Sequence, residues 1–179
     1  MRALVGVIGS GQTSAAIEAL AYRLGYALGA GGLSILCGGR GGVMEAACRG
    51  LVQARSEGLP LAQEVCCLGL LPGTDASVAN RYLDYVLPTG LGIARNAVIA
   101  QAAQGLIAVE GGSGTLSELA LAWQFGKPLC ALASSGGWGE ALAGRTLDGR
   151  WSTPIALASS PEEAAAWAKA CVPEASNRA

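Results

Sequence analysis

LSILCGGRGGVMEAA, residues 33–47, is a short apolar run followed at once by a glycine cluster and an Ala-rich stretch. A second segment, LIAVEGGSGTLSELALAW at residues 106–123, repeats this order. A strand, a glycine turn and a helix together direct backbone N–H groups and the positive end of a helix dipole toward one point. Glycine suits such a turn because no side chain blocks an approaching anion and positive φ is accessible. Two copies in one small chain therefore predict a ligand that carries a phosphate group.

Apolar runs of strand length alternate with helical patterns along the chain. We predict strands at 3–9, 33–37, 64–70, 85–87, 106–110, 129–132 and 155–157. We predict helices at 14–28, 42–53, 93–103, 115–125 and 161–170, a glycine-containing loop at 134–139 and a turn or small hairpin at 145–153. The strands are continuously apolar, which is typical of a parallel sheet covered on both faces. The sequence thus predicts one α/β domain at residues 1–172, a three-layer, doubly wound (Rossmann-like), mostly parallel sheet, with a frayed tail at 173–179.

The composition limits the partners that we expect. Only 14% of the residues are charged and 51% are hydrophobic, so we expect a homodimer or higher homo-oligomer that buries part of the surface. The net charge is −1 without a basic run, which argues against nucleic acid as a partner. No apolar run reaches the ~20 residues of a membrane span, and the N-terminus shows no signal-peptide pattern. We therefore expect a cytoplasmic protein without a membrane partner.

Metal and histidine chemistry are not expected. The chain has six cysteines and no histidine, and none of the cysteines forms C-x-x-C, so the usual zinc sites and every mechanism with a histidine base are disfavoured. Most of the cysteines lie in apolar segments, where they pack as small hydrophobic residues. The adjacent Cys66 and Cys67 fall within a predicted strand and would point to opposite faces. We predict no metal site and no required cofactor.

Common nucleotide motifs are incomplete in this chain. Gly9-Ser10-Gly11 follows the first strand, but the third glycine of G-x-G-x-x-G is missing, and Cys37-Gly38 stands where an acidic residue would bind a ribose. NAD(P) is therefore disfavoured. The sequence contains neither a P-loop nor a G-x-S-x-G elbow, which argues against a P-loop NTPase and a serine hydrolase.

The loops at the carboxyl ends of parallel strands meet at one edge of the sheet, where ligands bind. Arg95 falls in the first turn of its helix, where a cation opposes the dipole unless an anion lies between them. Arg40 lies inside a glycine cluster, and a loop salt bridge is its alternative role. The candidate ligand- or phosphate-binding residues are Gly9, Ser10, Gly11, Gly38, Gly39, Arg40, Gly41, Gly42, Arg95, Asn96, Gly111, Gly112, Ser113, Gly114, Thr115 and Glu118.

Two roles are open for Glu118. Thr115-Leu116-Ser117-Glu118 fits the S/T-x-x-E capping box, in which the glutamate only binds the N-cap amide. The chain has another copy, Ser160-Pro161-Glu162-Glu163, with no glycine cluster before it. The position of Glu118, one turn into a helix that is predicted to face a phosphate, favours a functional carboxylate. The two roles are compatible.

Three segments, at residues 38–46, 92–96 and 111–118, resemble the signatures of the Lonely Guy-like superfamily, whose members are often mislabelled lysine decarboxylases. The Lonely Guy enzymes split cytokinin riboside 5′-monophosphates into a free base and ribose 5-phosphate. An arginine of a neighbouring helix and the glutamate of P-G-G-x-G-T-x-x-E carry that catalysis. The resemblance implies that Arg95 and Glu118 are the catalytic residues if this chain is a hydrolase.

This sequence departs from the hydrolase pattern at three places. Glu110 replaces the proline, the first cluster is GGRGGVME, and Asn96 replaces the usual lysine. These variants resemble the branch of the molybdenum-cofactor carrier proteins, which bind a phosphorylated pterin bearing the metal. The resemblance therefore implies a carrier or storage protein with a molybdopterin-type cargo. The alternatives are a phosphoribohydrolase acting on a nucleoside 5′-monophosphate (AMP or a cytokinin riboside 5′-monophosphate) and a nucleotide-sensing role, so enzyme activity stays open.

Overall fold

Seven strands form one sheet whose neighbouring strands are all parallel. The structure, a computed structural model, describes residues 3–172, and the predicted tail at 173–179 lies outside the described residues. The strands are β1 (Leu4–Gly9), β2 (Ser34–Cys37), β3 (Cys67–Leu71), β4 (Tyr85–Pro88), β5 (Gly105–Val109), β6 (Leu129–Leu132) and β7 (Ala156–Ala158). Their order is β4-β3-β2-β1-β5-β6-β7, so the chain crosses from one half of the sheet to the other between β4 and β5.

Helices cover both faces of this sheet. They are α1 (Ala15–Ala30), α2 (Val43–Ser56), α3 (Arg95–Ala102), α4 (Ser113–Gln124), α5 (Gly137–Leu142) and α6 (Pro161–Cys171). Short 3-10 helices lie at Pro60–Glu64, Ala76–Val78 and Gly92–Ala94. Leu24 of α1 and Leu51 of α2 belong to the hydrophobic core on one face, and Ile99 of α3 and Leu119 of α4 belong to the core on the other. The three-layer, doubly wound parallel α/β fold that the sequence predicts is therefore confirmed.

Most predicted elements occur within a few residues of their expected bounds, and three segments differ in a way that has a physical reason. Residues 134–139 were expected to form a loop, but α5 begins at Gly137, because its first turn docks on the end of β5 through Trp138 N–H to Gly111 O (2.9 Å) and Gly139 N–H to Glu110 O (2.9 Å). The strand predicted to start at residue 64 starts at Cys67, since a 3-10 helix with Pro60 in its first turn occupies 60–64. The segment at 145–153 contains no strand and is a turn rather than a hairpin.

The described residues contain neither a disulfide nor a metal cluster. Each of the six cysteines is a free thiol, and no group of three or more Cys, Asp or Glu side chains in this part of the chain is placed to hold a metal ion. The longest helix, α1, has 16 residues, and no helix within residues 3–172 combines the length and the apolar character that crossing a membrane requires.

Candidate anion-binding cleft

A cleft of about 640 Å³ opens at the carboxyl edge of the sheet, between the loops that follow β1, β2 and β5. β1 and β5 are adjacent in the sheet but distant in the chain, and the helices that follow them, α1 and α4, pack on opposite faces. Such a topological switch point is where doubly wound sheets bind their ligands. The switch point therefore creates the cleft, and the glycine loops line it.

Most of the predicted site residues meet around this cleft. They are Gly9, Ser10, Gly11, Gly38, Arg40, Gly41, Arg95, Asn96, Gly112, Ser113, Gly114, Thr115 and Glu118. Gly39, Gly42 and Gly111 were predicted with them but lie outside the lining. Each of the three has positive φ (73°, 64° and 101°), and a Cβ at Gly111 would overlap the Thr115 side chain. These glycines shape the turns that carry the site residues.

The amino end of α4 presents unpaired amides to the cleft. Its N-cap is Gly112, which has no capping side chain. The N–H groups of Ser113, Gly114 and Thr115 belong to the first turn, which has no preceding turn to supply acceptors. No group within residues 3–172 accepts a hydrogen bond from these three N–H groups. Three aligned donors at the positive end of a helix dipole form an anion-binding arrangement.

Glu118 lies one turn further along α4 and is not a capping residue. With Thr115 as N-cap, a capping box requires the helix to begin at Leu116, whereas α4 begins three residues earlier, at Ser113, so the alternative that Glu118 only caps its helix is wrong. The side chain is 6% exposed, and its carboxylate accepts no hydrogen bond from the described residues. Burial raises its pKa from 4.5 to about 7, against the opposing attraction of Arg95. The cleft thus contains a carboxyl group that is poised between its two protonation states near neutral pH.

Arg95 opens α3 and extends under the first glycine loop. Its Nη1 donates to the carbonyl of Leu70 at 2.8 Å, and a Cβ at Gly38 would overlap the guanidinium. Gly38 therefore creates the space that brings this cation to the cleft. Burial lowers the pKa of Arg95, whereas the charge of Glu118 raises it. Arginine is so strongly basic that the guanidinium still remains charged.

Arg40 supplies a second cation from within the glycine loop. Its side chain is exposed and forms no ion pair with the described residues, so a loop salt bridge does not account for it. The loop itself is held by Asn80, whose N–H donates to Gly39 O (3.0 Å) and whose Nδ2 donates to Arg40 O (3.1 Å). Sequence reasoning missed Asn80, because it lies far along the chain in no recognisable motif.

Asn96 occupies the position of the usual lysine and is buried beside α4. Its Nδ2 donates to Ser117 Oγ at 2.8 Å, which ties α3 to α4. No described residue donates to its amide oxygen. Asn96 therefore links α3 to α4, and its side-chain amide oxygen remains an available hydrogen-bond acceptor at the cleft.

Glu110 does not line the cleft. It is the one non-glycine residue with positive φ (56°) among the described residues. Its Oε2 accepts from Thr13 Oγ1 at 2.6 Å, and its N–H donates to Ser135 Oγ at 2.8 Å. This carboxylate therefore points toward the loop that precedes α1, away from the anion-binding amides.

Apolar side chains complete the cleft. Ile8, Met44 and Val78 line it together with Gln12, and none of the four was predicted from the sequence. Val78 comes from the 3-10 helix at Ala76–Val78, which interrupts a stretch with no periodic pattern. The cleft thus joins a polar end, with amides and two arginines, to apolar surface on which a flat ring can pack.

A doubly wound parallel sheet with a cleft at its switch point defines a Rossmann-like α/β protein. The model of the SLOG cluster4 family matches residues 2–165. The chain therefore belongs to this family, which is part of the Lonely Guy-like superfamily, and the resemblance seen in the sequence is confirmed.

Three known proteins are similar to this chain. An uncharacterized protein of Archaeoglobus fulgidus is 35% identical over 134 residues, which are 72% of this chain and 78% of that protein. The molybdenum cofactor binding protein of Rippkaea orientalis is 29% identical, with 97% of this chain and 99% of that one covered at a TM-score of 0.76. The molybdenum cofactor carrier protein of Chlamydomonas reinhardtii is 30% identical, with 96% and 98% covered at a TM-score of 0.75.

Proposed function

We propose that this protein binds and carries the molybdenum cofactor, a phosphorylated pterin. The observation that carries the proposal is the row of unpaired amides at Ser113–Thr115, which faces a cleft with two arginines and an apolar wall. The similarity to two proteins named for binding or carrying the molybdenum cofactor supports the choice of ligand.

In this proposal the two ends of the ligand have separate partners. The phosphate binds the amides at the start of α4, with Arg40 and Arg95 as counter-charges. The flat heterocycle packs along Ile8, Met44 and Val78. The carboxylate of Glu118 and the amide oxygen of Asn96 accept from ring N–H groups, because both are acceptors without a protein donor among the described residues. The metal belongs to the cargo.

Binding of the cofactor is tested by mass spectrometry of the small molecules that leave the purified protein on denaturation, and by calorimetric titration with molybdopterin. We expect a pterin in the extract and saturable binding at micromolar protein. Arg40→Ala should weaken binding by about 10- to 100-fold, since a charge-assisted hydrogen bond contributes about 1.5–3 kcal/mol. Arg49→Ala is the matched control, because Arg49 lies over the Tyr22 ring at 5.4 Å, outside the cleft. Absence of pterin binding at micromolar protein contradicts the proposal.

A second candidate is a phosphoribohydrolase that splits the N-glycosidic bond of a nucleoside 5′-monophosphate. The specific observation in its favour is Glu118, a buried, unpaired carboxyl group whose pKa is raised to about 7 beside Arg95. As a carboxylate it would stabilise the oxocarbenium-like charge, while Arg95 binds the 5′-phosphate or assists the leaving base. Chromatographic assay of base release from AMP or isopentenyl-AMP tests this candidate. If the unmodified protein releases the base no faster than the Glu118→Gln variant does, the hydrolase candidate is eliminated.

We also propose that the protein is a homodimer through the surface formed by β4, the loop after it and α3. This surface exposes Tyr85, Leu87, Leu91, Ile93 and Val98, and Ile93 is 89% exposed. Such a cluster of large apolar side chains is typical of an interface. Light scattering should give the mass of a dimer, and Ile93→Lys should shift it toward the monomer. A monomeric mass for the unmodified protein contradicts this.

A further inference from the structure

A second cavity of about 460 Å³ lies at the opposite edge of the sheet, where β6 and β7 begin. The carboxyl ends of α4 and α6 border it, together with segments 126–129 and 151–154. None of its lining residues takes part in the anion-binding cleft. We call it the indole pocket, because Trp123, Trp151 and Trp167 line it.

The composition of the indole pocket is unlike that of the rest of the protein. Aromatic residues are 5% of the chain and four of them are tryptophans, of which three meet here. Pro128, Leu129 and Ala156 add further apolar surface. A volume of several hundred Å³ that is lined by aromatic side chains with a few polar groups is typical of a small-molecule site.

Specific bonds hold the walls of the pocket in place. Trp151 Nε1 donates to Trp123 O at 2.7 Å, and Trp123 Nε1 donates to Asp148 Oδ1 at 2.9 Å. The ring of Trp151 packs on Gly126, where a Cβ would lie 2.9 Å from Cζ2. Two of the three indoles are thus fixed through their N–H groups and by close packing, so the cavity does not depend on freely rotating surface side chains.

The charge in the indole pocket selects the kind of ligand. Among the described residues that line it, Lys127 carries the only formal charge, and there is no carboxylate. Its Nζ donates to Gln101 O at 2.7 Å, which leaves two of its three donors. The indole N–H of Trp167 has no acceptor within residues 3–172. An acidic group therefore finds a counter-charge here, whereas a cationic ligand meets repulsion from Lys127.

We propose that the indole pocket binds a flat aromatic acid, with the ring between the indoles and the carboxylate at Lys127. Stacking of the ring on tryptophan stabilises the complex beyond the burial of apolar area alone. The ion pair adds selectivity for the acid over uncharged or basic analogues. This site is independent of the phosphate ligand and of its cleft.

The test uses 3-phenylpropionate, with 3-phenylpropylamine as the matched probe of opposite charge. Trp138→Phe serves as the parent protein, because Trp138 lies on α5 outside the pocket and the three remaining tryptophans all line it. We expect the acid to change the tryptophan emission saturably and to bind at least about tenfold more tightly than the amine. Lys127→Met should bring the two affinities to within about twofold while the amine still binds. An emission that the acid does not change overturns the proposal.

Two further measurements locate the bound acid. Cys171 lines the pocket and is the exposed cysteine of the chain, so its alkylation by iodoacetamide should slow as the acid saturates the protein. Arg40→Ala, which removes a cation from the anion-binding cleft, should leave the affinity for the acid unchanged. An unprotected Cys171, or loss of acid binding in Arg40→Ala, would place the acid elsewhere and overturn the assignment.

Discussion

Thr115–Glu118 on α4 and Ser160–Glu163 on α6 share one sequence pattern and have opposite physical roles. On α6, Ser160 Oγ accepts from Glu163 N–H at 3.1 Å, and Glu163 Oε2 accepts from Ser159 N–H at 2.7 Å. That helix start is closed by its own side chains. On α4, Gly112 caps the helix without a side chain, and Glu118 is buried in the cleft. A helix start that its own chain does not satisfy is available to a ligand.

The largest expected effect comes from the buried carboxyl group. Glu118 has its pKa raised from 4.5 to about 7 in the folded protein, so between these values the folded state keeps a proton that the unfolded state releases. The free energy of unfolding should therefore fall as pH rises from 4.5 to 7 and level off above pH 7. Glu118→Gln should remove this slope and stabilise the protein above pH 7 by up to roughly 3 kcal/mol.

Urea unfolding of both proteins across this pH range measures the effect. Glu163→Gln is the control, because Glu163 has the same place in the motif but lies at an exposed, capped helix start. Parallel stability curves for Glu118→Gln and the unmodified protein would show that burial of Glu118 costs nothing.

The second effect comes from giving α4 the closed start that α6 has. Gly112 has φ −98° and room for a Cβ, so Gly112→Asp should cap the helix. Its charge would also occupy the anion position, since like charges about 4 Å apart repel by roughly 4 kcal/mol at an effective dielectric constant of about 20. Molybdopterin affinity should fall on the order of 100-fold, a loss of about 2.7 kcal/mol.

Gly112→Asn separates the two causes, because it caps the helix without adding a charge. Gly112→Asn should stabilise the protein as much as Gly112→Asp does. Calorimetric titration should show a much smaller loss of affinity for molybdopterin than in Gly112→Asp. Equal affinities for Gly112→Asp and the unmodified protein would mean that no anion binds at this helix start.

A smaller effect is expected where the motif is structural. Ser160→Ala removes the side chain that accepts from Glu163 N–H, which should lower the free energy of unfolding by about 1 kcal/mol. Affinity for the cofactor should not change, because α6 begins away from the cleft. Chemical denaturation measures the free energy of unfolding, and calorimetry measures the affinity. A weaker affinity for the cofactor would contradict the purely structural role of the start of α6.

The smallest effect is expected for Glu163→Gln. The substitution keeps an acceptor for Ser159 N–H and removes only the charge near the start of α6, so a loss of roughly 0.5 kcal/mol is expected. This loss has the opposite sign to the effect of Glu118→Gln above pH 7. Thermal unfolding at low ionic strength measures it, and stabilisation by Glu163→Gln would contradict the capping role.

The sequence predicted the sheet well because its strands are apolar without alternation and are separated by glycine turns. It did not predict where α4 begins, because GGSGT permits several starts. The start at Ser113 depends on the positive φ of Gly111, a tertiary feature of the turn. Helix α5 was missed for a related reason, since its first turn is fixed by hydrogen bonds to the end of β5 rather than by local propensity.

The candidate site was predicted in part for similar reasons. Glycines and arginines beside strands carry a chemical signal, whereas Val78 reaches the cleft, and Asn80 the glycine loop that lines it, only through the packing of distant segments. The indole pocket had no signal in the sequence, because its tryptophans lie on three separate elements.

The most direct test is a titration of the protein with molybdopterin, followed through the backbone amide resonances. We predict that the N–H signals of Ser113, Gly114 and Thr115 shift saturably, while those of Glu162 and Glu163 at the start of α6 stay in place. Saturable binding that leaves the three amides of α4 unmoved would contradict the central claim that this helix start holds the phosphate.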